Sequence, residues 1–460
     1  MSLWTLQSLS EACGGTLRGA SAQTPVTGIS IDTRTLSPGN AFFAVQGVSM
    51  DGHRFVGDAL ARGASAAVVS KGEETPSILV DDPLAALGRA GIAARARLQP
   101  GTPVVAVTGS VGKTGTKEML RLAFGEGTHA SAASHNNLWG VPLSLANMPA
   151  DARAGIFEIG MNHAGEITPL TKMVRPTVAI ITTVEAVHLE FFKSVEGIAD
   201  AKAEIFAGLE PGGVAIIPAD NPHTERLKSA ARAVGARVVT FGGGEADVTL
   251  SAFDAMAGTA TAKVFGEGVS FTLHGDAHIA RNALSVLAAL SVTGRPLSGA
   301  EHLASWQAPR GRGRRVSLDL RGGRALLIDE AYNANPASMG AAIKALGTTH
   351  AARRIAILGD MLELGDTSTE LHRGLAPLLV DADVRIVHTV GPMAQSLRDS
   401  LPAELRGDHH GDAAAAAASP PEVAPGDAVL VKGSNAIGLS RVVDILEERY
   451  GPRAEGLAHV

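Results

Sequence analysis

The sequence predicts an α/β protein of three domains. Three observations carry that expectation. The 460 residues amount to about three domains at roughly 150 residues each. From about residue 101, short β-branched runs alternate with longer helical stretches, the pattern of βαβ units on a parallel sheet. The glycine- and arginine-rich run Pro309-Arg-Gly-Arg-Gly-Arg-Arg interrupts that alternation, which then starts again. The expected division is a small mixed α/β domain over 1–100, a central parallel-sheet domain of P-loop ATPase-like type over 101–312, and a doubly wound, Rossmann-like domain over 313–460.

Composition narrows the function classes. Lys and Arg total 40 against 46 Asp and Glu, a formal charge of −6, which excludes a dedicated nucleic-acid binder with a broad basic face. Anionic ligands must therefore be held by local sites. Cys13 is the only cysteine, so no intrachain disulfide is possible and a reducing compartment fits. Hydrophobic residues at 45% and charged residues at 19% describe an ordinary globular chain. The first ten residues have neither a basic nor an apolar leader segment, and no run reaches the roughly 18 apolar residues of a membrane helix. A cytoplasmic protein without membrane insertion is expected.

In the first domain, apolar runs at Val26-Thr-Gly-Ile-Ser-Ile, Ala41-Phe-Phe-Ala-Val and Ala66-Ala-Val-Val-Ser read as strands, separated by the turn signals Ser37-Pro-Gly-Asn and Met50-Asp-Gly-His. The central domain offers strands over 104–107, 154–159, 178–183, 214–217 and 237–240. The last domain offers buried strands over 325–328, 354–358, 384–390 and 428–431.

The strongest chemical signal is Val104-Val-Ala-Val-Thr-Gly-Ser-Val-Gly-Lys-Thr-Gly-Thr-Lys-Glu, a strand, a glycine-rich turn and a helix opening at Lys113. Gly109, Ser110, Val111, Gly112 and Gly115 allow backbone N–H groups to crowd around phosphate oxygens, Lys113 can reach the β/γ-phosphates, and Thr114 can ligate Mg²⁺. The spacing departs from the general phosphate-loop motif, with two residues between Gly109 and Gly112 and Val107 where the first glycine would stand. Glu158 ends the next strand, and His188 lies just past the one after. In an open parallel sheet the carboxyl ends of strands line the ligand crevice, so Glu158 and His188 could hold a second divalent ion; taken singly, each is equally a structural polar residue. Lys202 sits in a helical stretch, either as a solvated lysine paired with local acids or, beside metal ions, as a cation that needs neutralisation or modification.

In the third domain, Ala325-Leu-Leu-Ile-Asp-Glu runs into Ala331-Tyr-Asn-Ala-Asn-Pro, where Asp329 and Asn333 either face the nucleotide site from another domain or form turns. Lys432, in Val429-Leu-Val-Lys-Gly-Ser-Asn, could hold a substrate carboxylate, while the Gly-Ser-Asn could equally cap the last helix. The arginines at 310, 312, 314 and 315 suit phosphate geometry or make a solvated basic linker.

Together these residues resemble the Mur ligases, the ATP-dependent amide-forming enzymes of peptidoglycan precursor synthesis. The resemblance spans nearly the whole chain: Ser30-Ile-Asp-Thr-Arg, Asp51-Gly-His-Arg-Phe, the phosphate loop, Asn136-Asn-Leu-Trp-Gly-Val-Pro-Leu, Glu158-Ile-Gly-Met-Asn-His, His188 through Lys202, Tyr332-Asn-Ala-Asn-Pro and Leu358-Gly-Asp-Met-Leu-Glu-Leu-Gly. The two-residue glycine spacing is the family's own. Tyr-Asn-Ala-Asn-Pro and Gly-Asp-Met-Leu-Glu-Leu-Gly are similar to the branch that adds D-alanyl-D-alanine to UDP-N-acetylmuramoyl-tripeptide.

The resemblance implies a role for each matched position. Lys113 and Thr114 would bind ATP phosphates and Mg²⁺, Glu158 and His188 a second Mg²⁺, and Lys202 would be the family's carbamylated lysine, its ammonium replaced by a carboxylate-like group. Asn282 would contact adenine, Arg314 would stand at the boundary of the last two domains, and Asp329 would contact the nucleotide, although Glu330 replaces the family's second aspartate. Ser30, Asp32, Arg34 and the Asp51-Gly52-His53 turn would lie near the uridine nucleotide, with Asn136 and Asn137 also on the substrate side. Asn333, Asn335, Lys432 and Ser434 would face the dipeptide. The expected partners are UDP-N-acetylmuramoyl-tripeptide and D-alanyl-D-alanine, with no nucleic acid, and the expected assembly is a monomer. The chemistry implied is carboxylate attack on the γ-phosphate to give an acyl phosphate, then attack by the dipeptide amine. A sister ligase with a different amine, or a nucleotide switch with no acceptor, are the rival readings.

Overall fold

The computed structural model describes residues 2–47, 50–132, 135–186 and 191–451. The chain divides into two compact units, one of residues 1–184, 199–273 and 277–306, the other of residues 185–198, 274–276 and 307–460.

The first unit contains two principal sheets. Its amino-terminal part is a five-stranded sheet in the order Thr16–Arg18, Ser77–Leu79, Ala66–Val69, Asn40–Phe43, Gly28–Ser30. The first pair is antiparallel and the other three pairs are parallel. Helix Leu6–Cys13 begins at a capping box in which Thr5 and Ser8 satisfy each other's backbone N–H groups. Helix Pro83–Ala96 begins where the Asp82 carboxylate accepts from Leu84 N–H at 2.8 Å. Both helices pack Leu6, Leu9, Leu87 and Ala90 onto Phe43, Val68 and Ile78 of the sheet.

The larger sheet has nine strands, in the order Glu267–Thr272, Thr259–Val264, Val248–Asp254, Arg237–Gly242, Val214–Pro218, Val178–Ile181, Val104–Thr108, Ala154–Glu158, Thr128–Ala130. Pairing is parallel from Thr128–Ala130 across to Val248–Asp254, and the last two strands close the sheet as antiparallel neighbours. Val104–Thr108 is buried along its whole length, which is why it reads as a continuous apolar run. The chain leaves this strand to one side, for Thr128–Ala130 and Ala154–Glu158, and then continues on the other side with Val178–Ile181. That reversal is a topological switch point, where ligands of open α/β sheets bind at the carboxyl ends of strands.

Within this unit a seam joins the two sheets. Asn147, the residue after helix Gly140–Ala146, sets its side-chain amide on the edge strand Gly28–Ser30, accepting from Ile29 N–H at 2.8 Å and donating to the Ile29 carbonyl at 2.9 Å. Trp4 donates its indole N–H to the Ala146 carbonyl at 3.0 Å, and the Arg97 guanidinium stacks 3.5 Å over the Trp4 ring.

The second unit is built on a six-stranded sheet ordered Arg314–Leu320, Gly323–Glu330, Asp427–Lys432, Arg353–Gly359, Ile386–Val390, Arg406–His410. Only the first pair is antiparallel. Apolar cores cover both faces, one built on Met339, Ile343 and Leu379, the other on Leu439, Val443 and Leu446. This is the doubly wound arrangement the alternation predicts. The antiparallel strands over 248–272 are not anticipated by the sequence reading, and Arg314 and Arg315 lie on a strand, not in a linker. Among the described residues no helix is long and apolar enough to cross a membrane.

Candidate active site

The phosphate loop leaves Val104–Thr108 at the switch point and enters helix Lys113–Phe124. Gly109 and Gly112 have φ of +151° and +84°, which L side chains rarely adopt. A Cβ at Gly109 would collide with Thr182 Oγ1, and one at Gly112 with Asn282 Nδ2. The glycines are therefore required twice, by conformation and by close approach. The loop is held from the neighbouring strand end: Ser110 N–H donates to the Thr183 carbonyl at 2.9 Å, and the Thr182 hydroxyl donates to the Val111 carbonyl. Lys113 Nζ donates to the Gly109 carbonyl at 2.7 Å, which folds the ammonium over the loop. Asn282, on helix Ala277–Val292, is buried against Gly112. Gly115 lies in the first turn of the phosphate-loop helix, its Cβ position 3.7 Å from the Trp306 ring.

Glu158 ends the adjacent strand and is fully buried. Its Oε2 accepts from Thr114 Oγ1 at 2.7 Å and its Oε1 from Asn136 Nδ2 at 2.7 Å. Both partners are neutral, and among the described residues no cationic side chain pairs with this carboxylate. A buried carboxylate held only by neutral donors is costly unless a positive charge joins it. Asn137 differs from its neighbour: its Oδ1 accepts from Trp139 and Gly140 N–H groups at 3.2 and 2.9 Å, capping the helix that follows. His188 lies outside the described residues.

Lys202, on helix Val195–Ala203, is 2% exposed. Burial pushes its ammonium well below the usual lysine range, and the Lys113 charge pushes it further the same way. The solvated, acid-paired alternative is thus excluded by geometry. Among the described residues no group of three His, Cys, Asp or Glu side chains gathers as a metal cluster. The site instead offers single oxygens, from Thr114 and Glu158, which suits Mg²⁺, an ion that keeps waters and phosphate oxygens in its shell.

At the amino-terminal sheet, Ser30, Asp32 and Arg34 form one turn. The Ser30 hydroxyl accepts from Asp32 N–H at 3.1 Å, and Arg34 forks onto the Asp32 carboxylate, whose proton affinity that hydrogen bonding lowers. Asp51 accepts from Lys71 Nζ at 2.8 Å and from His53 Nδ1 at 2.7 Å; these contacts, Lys71 first, hold its carboxyl far below the usual range. His53 Nε2 accepts the Ser70 N–H at 3.0 Å, so the ring is neutral with its proton on Nδ1. Gly52 has no room for a Cβ, the Val45 carbonyl oxygen lying 2.6 Å from that position. Lys71 was absent from the sequence reading, although it directly follows the strand-like Ala66–Ser70 run.

In the second unit, Asp329 is buried, accepts from Gly311 N–H at 2.8 Å and stands 3.6 Å from Arg314. Arg314 also pairs with Glu447 of helix Ser440–Tyr450. Arg310 pairs with Asp444, Arg315 with Asp276 at 3.1 Å, and Arg312 stacks 4.0 Å over Tyr332. Among the described residues the four arginines are thus each engaged by an acid or a ring, with Arg310 still exposed. Lys432 and Glu330 are register neighbours at the ends of parallel strands; Lys432 is buried and donates to Glu330 Oε2 at 3.0 Å and to the Asn333 carbonyl at 2.9 Å. Glu330 at the aspartate position is therefore the counter-charge of Lys432. Asn335 caps helix Pro336–Thr348 through its Oδ1, and its Nδ2 is buried with no hydrogen-bond partner among the described residues. Asn333 is exposed, and Ser434 Oγ accepts from Leu362 N–H at 3.0 Å.

Three family models match the chain in succession: Mur ligase family, catalytic domain, over residues 25–99; Mur ligase middle domain over 107–290; and Mur ligase, glutamate ligase domain, over 311–435. The UDP-N-acetylmuramoyl-tripeptide–D-alanyl-D-alanine ligase of Escherichia coli is 33% identical over 96% of this chain and 98% of its own length. The chain belongs to the Mur ligase family. Among solved structures, MurF from Acinetobacter baumannii superposes with a TM-score of 0.82 at 29% identity, covering 96% of this chain and 99% of that one. MurF ligase from Thermotoga maritima, solved with ADP, gives 0.75 at 26% identity, covering 92% and 99%. This Mur ligase therefore has the three-domain α/β architecture of its relatives, its amino-terminal and central sheets falling within one compact unit.

Proposed function

We propose that this Mur ligase joins D-alanyl-D-alanine to the terminal carboxylate of UDP-N-acetylmuramoyl-tripeptide, with ATP cleaved to ADP and phosphate, in peptidoglycan precursor synthesis. The full-length similarity to ligases of that name carries the choice of amine, and the phosphate loop beside the buried Glu158 carries the chemistry. Residues 1–100 would receive the uridine nucleotide, 101–312 ATP, and 313–460 the dipeptide.

The peptide carboxylate is a poor electrophile. Its oxygen attacks the γ-phosphorus, the bond to the β-phosphate oxygen breaks, and ADP leaves the acyl phosphate. The dipeptide amine then attacks the carbonyl carbon, loses a proton, and expels phosphate. Positioning and charge neutralisation carry the first step, which the loop N–H groups and Lys113 supply. Thr114 would hold a first Mg²⁺, and Glu158 a second together with His188, which lies outside the described residues; Mg²⁺ would supply Lewis-acid neutralisation of phosphate charge. Lys202 would be carbamylated, which suits a buried amine kept neutral by burial and by Lys113 and so able to add CO₂. Asn282 would meet adenine, and Asp329 with Arg314 the nucleotide side. Ser30, Asp32, Arg34 and the Asp51–His53 turn would meet the uridine nucleotide, with Asn136 beside Glu158, and Asn333, Asn335, Lys432 and Ser434 the dipeptide.

Phosphate release with UDP-N-acetylmuramoyl-tripeptide and, in turn, D-alanyl-D-alanine, meso-diaminopimelate, lysine and glutamate tests the reading. Turnover only with the dipeptide is expected; turnover only with a single amino acid overturns it.

A further inference from the structure

The Gly359-Asp-Met-Leu-Glu-Leu-Gly turn follows strand Arg353–Gly359 at its carboxyl end, beside the Asp427–Lys432 strand. Nothing above gives it a task, yet three successive N–H groups of the turn are fixed by three different elements. Asp360 N–H donates to the Val390 carbonyl at 3.1 Å. Met361 N–H donates to His372 Nε2 at 2.9 Å, and Leu362 N–H to Ser434 Oγ at 3.0 Å. The Asp360 carboxylate accepts from Ala394 N–H at 2.7 Å, and its carbonyl from Ser434 N–H at 3.0 Å.

His372 is fully buried on the short helix Ser368–Arg373. Its Nδ1 donates to the Ser368 carbonyl at 2.7 Å, so the ring is the neutral tautomer, with Nε2 free to accept only from the turn. A buried ring that joins the Ser368 carbonyl to the Met361 N–H is more than this turn needs to close. It is a reasonable way to fix what the turn touches: Ser434, whose hydroxyl reaches back toward the Ala334 carbonyl at 3.5 Å, between Asn333 and Asn335. The chain of contacts runs from His372 through Met361 and Leu362 to Ser434 and then to the Asn333–Asn335 segment.

We propose that His372 is a positioning residue for the amine substrate: through the 360–362 turn it sets the placement of Ser434 and of the Asn335 amide. The inference rests on the reading that Asn335 and Ser434 face the dipeptide. The Asn335 Nδ2 is buried and, among the described residues, has no hydrogen-bond partner, so it is the donor this segment has left to offer. His372→Leu removes both ring contacts, whereas His372→Gln returns an acceptor to Met361 N–H.

The test is steady-state kinetics on the full-length enzyme with each substrate varied in turn, with melting temperatures alongside. His372→Leu should raise KM for D-alanyl-D-alanine roughly tenfold, the value of one well-placed polar contact, while KM for ATP stays within about twofold. His372→Gln should recover most of that loss. A purely structural histidine would lower the melting temperature of His372→Leu without a selective KM change, and that result overturns the proposal. Asn335→Ala and Ser434→Ala serve as controls: if these leave the dipeptide KM unchanged, the dipeptide site itself is misread; if they raise it and His372→Leu does not, only the positioning role fails. Should His372→Leu not fold, His372→Gln and His372→Asn carry the test, because their acceptors sit at different depths and should give unequal dipeptide KM values; equal ones overturn the role.

Discussion

Thr114 and Glu158 stand 44 residues apart in sequence and are joined by a 2.7 Å hydrogen bond in the interior. The hydroxyl comes from the first turn of the helix after the phosphate loop, the carboxylate from the end of the adjacent parallel strand. Glu158→Gln keeps the shape and an acceptor for Thr114 but removes the negative charge. It should fold normally, lower kcat by about 10²-fold, and raise the Mg²⁺ concentration for half-maximal rate roughly tenfold. Chelation by EDTA should stop the wild-type enzyme and excess Mg²⁺ restore it. A Glu158→Gln enzyme with the wild-type Mg²⁺ dependence would remove Glu158 from the metal.

Lys202 is buried, and a buried ammonium costs stability as long as it stays charged. Burial and Lys113 lower its folded pKa, so between that value and the unfolded value of about 10.4 the unfolded chain binds more protons. Stability arising from this group therefore rises with pH across that window, and the penalty is full below it. Lys202→Met should melt at a higher temperature than the uncarbamylated wild type at neutral pH, while turnover falls at least about 10²-fold. Lys202→Ala should regain part of its rate with formate or acetate, which can stand in for the carbamate; no regain with either, at unchanged fold, counts against carbamylation.

At Gly112 the φ of +84° and the neighbouring Asn282 amide leave no place for a methyl group. Gly112→Ala should cost about 1–3 kcal/mol of stability and weaken ATP binding, read by denaturant melts and nucleotide titration. Lys113→Ala should abolish turnover while melting within a few degrees of wild type.

Lys71 is the largest cause of the depressed Asp51 carboxyl. A carboxylate of this kind contributes stability above its unfolded pKa of about 3.9, lost as pH falls through the folded value. Lys71→Met should move the acid unfolding midpoint upward and raise KM for the uridine nucleotide substrate several-fold, with KM for ATP unmoved. An unchanged acid limb would show that the ion pair contributes nothing in solution.

Cys13 is buried, and burial pushes its thiol up to about 12 against a smaller opposing pull from Arg89. The native protein should be inert to thiol reagents at pH 8 and should titrate one thiol on unfolding in urea. Rapid labelling of native protein would contradict its placement.

What the sequence disclosed and what it withheld have a common physical basis. The phosphate loop, Glu158 and the strand ends were legible because strand, glycine turn and helix follow one another in the chain, and a local pattern suffices. Pairings set by sheet order were not. Lys432 meets Glu330 across 102 residues because two strands far apart in sequence are neighbours in the sheet, and no spacing rule announces that. The strands over 248–272 escaped notice because exposed polar residues and alanine dilute their alternation. Lys202 was the reverse case: its own residues fit a solvated helix face as well as a site lysine, the family resemblance alone favoured the site, and its burial removes the solvated alternative.

The side-chain amide of Asn147 completes the edge of the amino-terminal sheet as a one-residue strand would. Ile29, which it grips, directly precedes Ser30 and the Asp32–Arg34 turn. The helix ahead of Asn147 leads back to Asn136 on Glu158. A single amide is thus a ruler between the Asp32–Arg34 turn and the Glu158 carboxylate. With the proposed roles of those two places, the separation of two reactants would be a constant of the folded chain, and the local concentration of carboxylate met by ATP a property of folding.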